Sequence, residues 1–147
     1  MSDRVLVIDE DLNPNLAREL RNRGRLASTV EDLRLKSALD PEVIERVFTY
    51  FDDPVLITGD DGMPAEHASV LAAFNATVAT VTPWRKDDAF VGRWEGADHR
   101  SEEEWEREIV HRWAHTIQAQ KRGTIRRYGL TSSAMWRPPR RSRRSDD

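Results

Sequence analysis

The first eighty residues alternate between two hydrophobic patterns. Short, continuous apolar runs are separated by segments whose apolar residues recur every three or four positions. Arg4–Asp9 (RVLVID) is a run of the first kind, and its length and β-branched content predict a strand buried on both faces. A helix is predicted to follow, with Asn13 as N-cap, Pro14 at its first position, Leu16 and Leu20 on one face and Gly24 as its stop. Leu26–Val30 predicts a second, weaker strand. Asp40-Pro41 opens a helix whose Val43, Ile44, Val47, Phe48 and Phe51 share one face. Pro54–Thr58 predicts a third strand, Pro64–Phe74 a third helix and Ala76–Val81 a fourth strand. Strands separated by helices imply a parallel sheet with right-handed crossovers. The expected fold is a small three-layer α/β/α domain on a four-stranded parallel sheet, covering residues 1–84, with no strand after Val81.

The remainder reads differently. Residues 85–100 look like a polar linker. Ser101-x-x-Glu104 is a capping box with acids in the first helical turn. A long amphipathic helix is expected within 101–128, with Lys121, Arg122 and Gly123 as stop signals. Its apolar stripe is Trp105, Ile109, Trp113 and Ile117, which must pack on the α/β domain or on a partner. His111 and His115 stand at the i, i+4 spacing of a zinc pair, without a third ligand in view. Residues 129–147 form a basic tail whose Arg, Ser and Pro content predicts disorder.

Charge sharpens this division. The 147 residues carry 23 basic and 26 acidic side chains, a net charge of -3. Residues 1–98 hold 11 basic and 19 acidic side chains, whereas 99–147 hold 12 and 7. The basic half suggests an anionic partner. Arg126, Arg127, Arg140 and Arg141 are candidates to follow an RNA backbone, with Tyr128 or Trp136 stacking on a base. There is no cysteine. Disulfides, thiolate zinc sites and thiol catalysis are therefore excluded, and a cytoplasmic location is expected. No secretory leader or membrane span is expected.

The acids are not scattered at random. The first strand ends in Asp9-Glu10-Asp11, the third in Thr58-Gly59-Asp60-Asp61-Gly62. Open parallel sheets bind ligands beyond the carboxyl ends of their strands. Carboxylates gathered there repel one another unless a cation lies between them, and oxygen donors suit Mg²⁺ or Mn²⁺. Asp40 is accounted for as a helix cap by spacing alone.

The runs DEDLNPNLARELRNRG, VEDLRLKSALDPEVIERV and DPVLITGDDGMP resemble PIN-like nuclease domains, in particular the compact subgroup with Asp-Glu-Asn and Thr-x-Asp motifs. The resemblance covers about residues 4–82 and includes the intervals between motifs. It implies a metal-dependent endoribonuclease, toxin of a type II toxin–antitoxin pair, with RNA as substrate, a protein antitoxin as partner and a possible homodimer. It implies Asp9, Asp40, Asp60 and Asp61 as catalytic residues. Asp9, Asp11, Asp60 and Asp61 would hold Mg²⁺ or Mn²⁺, and Thr58 would orient the site. One position departs from the pattern. The family's next acid falls at Gly62, and Asp61 stands one residue before it.

A response-regulator receiver domain is the rival resemblance. Asp60 precedes Met63-Pro64 at the receiver interval and would be the phosphoacceptor, with Asp9 or Glu10 on Mg²⁺. Receivers also carry a lysine on a fifth strand, which no segment after Val81 suggests. A PIN-like module that binds RNA without cutting it is a third reading.

Overall fold

The computed structural model describes residues 4–33, 40–82, 102–130 and 132–136. In chain order the elements are β1 (Leu6–Ile8), α1 (Asn15–Asn22), β2 (Ala27–Thr29), a 3-10 turn (Glu31–Leu33), α2 (Asp40–Tyr50) and β3 (Val55–Thr58). There follow α3 (Met63–Glu66), α4 (Ala68–Ala73), β4 (Thr77–Val81), α5 (Glu102–Gln118), β5 (Ile125–Tyr128) and β6 (Ser133–Met135). They form an α/β fold around a mixed six-stranded sheet of order β2-β1-β3-β4-β5-β6. β1 to β5 run parallel and β6 runs antiparallel to β5.

The sheet is therefore wider than the four-stranded parallel sheet expected. β5 was illegible because Ile125-Arg126-Arg127-Tyr128 buries only its last residue. Pairing and one buried glutamine hold it, not an apolar run. Gln120 Nε2 donates to the carbonyls of Val78 (2.8 Å) and Thr124 (2.9 Å), and Gln120 Oε1 accepts from the Tyr128 hydroxyl at 2.9 Å. A buried amide with every partner supplied fixes register.

β1, β3 and β4 are buried along their whole length, as strands covered on both faces must be. Leu6, Ile8, Val55, Ile57, Ala79 and Tyr128 pack with Leu16 and Leu20 of α1 and Ile109, Val110, Ala114 and Ile117 of α5. The alternate strand residues Val7, Leu56 and Val78 pack with Val43, Ile44 and Val47 of α2 and with Met63 and Leu71. The α5 stripe thus lies on the domain's own core. α5 ends at Gln118, and 125–128 is a strand, so the helix expected within 101–128 is shorter and is followed by sheet. β6 likewise falls inside the expected tail. Chain direction explains the stop. Gly123, at φ 81°, turns the chain beside Asn75 into β5.

β1 to β2 and β4 to β5 step in opposite directions across the sheet, yet α1 and α5 cover the same face. The consequence for the site is that the first turns of α5 lie beside the chain leaving β1. The helix expected over 64–74 is also interrupted. His67, at φ -120° and ψ 29°, separates α3 from α4. The 85–100 segment, Arg140 and Arg141 lie outside the described residues.

Candidate functional site

The sheet order reverses between β1, which leads to β2 on one side, and β3, which leads to β4 on the other. The crevice at such a reversal opens at the carboxyl ends of the two strands. Asp9 follows β1 there, and its N–H is bonded to the Ile57 carbonyl at 2.9 Å. Asp9 Oδ2 accepts the Thr58 hydroxyl at 2.9 Å, and Asp9 Oδ1 accepts the Glu10 N–H at 2.9 Å. Thr58, fully buried as the last residue of β3, also accepts the Asp60 N–H at 3.1 Å. Asp11 Oδ1 takes the Gly59 N–H at 3.2 Å, and its Oδ2 lies 3.4 Å from the same Thr58 hydroxyl. Asp60 Oδ1 accepts the Gly62 N–H at 3.0 Å, closing the turn after β3.

These acids sense one another. Burial, and next the charge of Asp11, push the Asp9 carboxyl up to about 6, and Asp40 adds to the rise. Burial, with help from Asp60, raises Asp11 as well. The opposing influences are hydrogen bonds from Thr58 and backbone N–H groups. Asp9, Asp11, Asp40 and Asp60 thus share one field.

Asp61 points elsewhere. Its Oδ1 accepts Arg127 Nε at 2.9 Å and its Oδ2 accepts the other arm of the guanidinium. Arg127 reaches it from β5, in register with Thr80 of β4 and two strands from Thr58. Arg126 donates to Ser133 Oγ at 3.1 Å. Tyr128 is buried with its hydroxyl on Gln120, which removes it from base stacking. His111 binds Glu19 Oε1 at 2.8 Å, beside the Arg107–Glu19 ion pair, while His115 is exposed. His111 therefore joins α5 to α1, and His115 does not share its partner.

Three further residues belong to this end of the sheet. Glu106, 9% exposed, reaches from α5 over Gly59. Its Oε2 lies 2.8 Å from the point a Gly59 Cβ would occupy, and Asp11 Oδ2 lies 3.3 Å from that point. Asp40 begins α2, and His67 Nε2 lies 3.3 Å from its Oδ2. Glu66 Oε2 lies 3.7 Å from the same nitrogen. Glu106 left a trace in the sequence, because it is a charge in line with Ile109, Val110, Ala114 and Ile117 on the helix stripe. His67 and Glu66 left none. They converge only because the helix breaks between them.

The donor chemistry fits a hard divalent cation. Asp9, Asp11 and Asp60 offer oxygens held by neutral donors and carry mutual repulsion that a cation relieves. Among the described residues no helix is long and apolar enough to cross a membrane. Compared with known proteins, the chain matches no family model, no curated protein and no solved structure.

Proposed function

We propose that the chain is a metal-dependent ribonuclease with a three-layer PIN-like domain. The observation that carries this reading is the placement of Asp9, Asp11 and Asp60 at the carboxyl ends of β1 and β3, all three linked through the Thr58 hydroxyl. The quoted resemblance over residues 4–82 supports it. Asp9, Asp11 and Asp60 would hold Mg²⁺ or Mn²⁺, and the chemistry such an ion would supply is neutralisation of phosphate charge and activation of water. Thr58 keeps Asp9 turned into the crevice. Asp40, at the rim, orients the attacking water or takes its proton. Arg127 holds Asp61 aside, so Asp61 plays no direct part. No side chain serves as a covalent nucleophile. A protein antitoxin that binds the basic C-terminal region is the matching partner proposal.

The test incubates the purified protein with total RNA, with Mg²⁺ or Mn²⁺ and with a chelator. Cleavage should need the metal and disappear in Asp9→Asn and Asp60→Asn. Undiminished cleavage by both variants would refute the site. Metal-independent, salt-sensitive RNA binding without cleavage points to the non-cutting module.

One observation favours the receiver reading. A fifth parallel strand exists, and its Arg127 reaches the loop after β3, where a receiver uses a lysine. Here the cation meets Asp61 and not Asp60. Labelling of Asp60 by a small-molecule phosphodonor, lost in Asp60→Asn, would favour the receiver over the nuclease.

A further inference from the structure

Outside the Asp9–Asp60 pair, one cluster on this edge includes a nitrogen donor. Asp40, Glu66 and His67 each present a ligand atom, and these atoms lie within 4.8 Å of one another. His67 Nε2 is 3.3 Å from Asp40 Oδ2 and 3.7 Å from Glu66 Oε2. Ligands bound at about 2.1 Å from one ion stand roughly 3–3.5 Å apart in tetrahedral or octahedral geometry. Two of the spacings are therefore already near those of a coordination shell.

The backbone supplies a second observation. Neighbouring residues on a straight helix diverge by about 100° and do not face the same point. Glu66 ends α3, and His67 leaves helical geometry before α4 begins. That break turns both side chains toward Asp40, which a continuous helix over 64–74 would not do. His67 is the anchor, its side chain 19% exposed, while Asp40 and Glu66 are open to solvent at 46% and 66%. The site is assembled and accessible at once.

We propose that Asp40, Glu66 and His67 bind a divalent transition ion, Mn²⁺, Co²⁺ or Zn²⁺, in preference to Mg²⁺. An imidazole in the set favours borderline ions, whereas an all-oxygen set suits Mg²⁺. The competing account is a plain ion pair, a protonated His67 between two carboxylates. The site adjoins the Asp9 crevice, because Asp40 acts on the Asp9 carboxyl and because Asp60 Oδ1 and Glu66 Oε1 lie 3.4 Å and 3.9 Å from the same point, where a Gly62 Cβ would stand. Its use as a second ion position in phosphodiester cleavage rests on the nuclease reading. The metal binding does not.

The experiment titrates the full chain with Co²⁺ and follows the visible ligand-field absorption and the heat of binding, with Mg²⁺ as competitor. The Asp9→Asn, Asp11→Asn, Asp60→Asn triple variant removes the crevice carboxylates, so that it reports the triad alone. Co²⁺ should still bind this variant, and a large excess of Mg²⁺ should not displace it. His67→Ala and Glu66→Gln, placed separately in that background, should each weaken Co²⁺ by at least about tenfold. Glu66 is exposed, so its variant keeps the test sound if His67→Ala folds poorly. Unchanged affinity in both variants overturns the proposal, as does equal displacement by Mg²⁺. If RNA is never cut while Co²⁺ binding depends on His67, the nuclease reading has failed and this site stands.

Discussion

Thr58 donates its hydroxyl proton to Asp9 across 2.9 Å, between residues 49 apart in sequence. The same oxygen accepts the Asp60 N–H at 3.1 Å. One buried hydroxyl therefore sets the angle of the β1 acid and anchors the loop that carries the β3 acid.

Removing that hydroxyl without changing shape isolates its role. Thr58→Val leaves the Asp60 N–H without its acceptor and the Asp9 carboxylate without a donor, a cost of about 1–3 kcal/mol for groups kept from water. The Asp9 carboxyl should then rise above its present value of about 6, since Thr58 is one of the bonds holding it down. Carboxyl-detected NMR titration measures the rise, and denaturant unfolding measures the cost. Thr58→Ser should restore both. If the Asp9 titration does not move in Thr58→Val, the hydroxyl does not control the acid.

The raised Asp9 carboxyl has a definite sign in stability. Its ordinary value is 3.8 and its folded value about 6, so the native state holds the proton more tightly than the unfolded chain. The stability it contributes is complete below pH 3.8 and is lost as pH rises through about 6. Asp9→Asn has no such loss. Between pH 4 and pH 7 the variant should gain about 2–3 kcal/mol on the wild type. Parallel unfolding curves at the two pH values test this, and equal differences at both would contradict it. The wild type should also bind Mg²⁺ more tightly at pH 7 than at pH 5, because the ion competes with that proton.

Sequence patterning made the front of the sheet legible and the back of it obscure, for physical reasons. Strands buried on both faces need continuous apolar residues, so Leu6–Ile8, Val55–Thr58 and Thr77–Val81 announced themselves. Their ends located Asp9 and Asp60. Ile125–Tyr128 is held by Gln120 and by its neighbours' backbones, and two arginines hide it from a hydrophobic pattern. The destination of Asp61 was hidden for the same reason, since its partner Arg127 lies on that strand. His67 was out of reach because it depends on a helix break that Ala68–Ala73, apolar and helix-forming, gives no sign of.

The Asp61–Arg127 pair separates structural from chemical roles. Its side chains are 35% and 27% exposed, and Arg127 Nε and Nη2 each donate to one oxygen of the carboxylate. A double-mutant cycle with Asp61→Asn and Arg127→Gln should give a coupling of about 1 kcal/mol, typical of a well-aligned pair still in reach of water. RNA cleavage by Asp61→Asn should stay within about threefold of the wild type, about 0.6 kcal/mol in barrier. A loss comparable to that of Asp60→Asn would place Asp61 in the chemistry after all.

Gly59 offers the most direct test of the α5 contribution. It does not adopt a left-handed φ, so its backbone would accept alanine. Its neighbours would not. A Cβ there would lie 2.8 Å from Glu106 Oε2, 3.2 Å from Leu12 Cδ2 and 3.3 Å from Asp11 Oδ2. Glu106 is 9% exposed and Leu12 3% exposed, so neither can swing freely into solvent. Gly59→Ala should therefore cost about 1–3 kcal/mol by overpacking. It should also weaken Mg²⁺ binding by displacing Asp11. Glu106→Asp shortens the clashing side chain by one methylene. Added to Gly59→Ala, it should recover part of the lost stability, with a favourable coupling on the order of 1 kcal/mol. Additive effects of the two substitutions would mean that Glu106 does not lie over Gly59. Isothermal titration with Mg²⁺ on the wild type and on Glu106→Gln then decides whether the carboxylate of α5 adds to the crevice or merely packs behind it. In the first case Glu106→Gln lowers affinity severalfold, and in the second it leaves affinity unchanged.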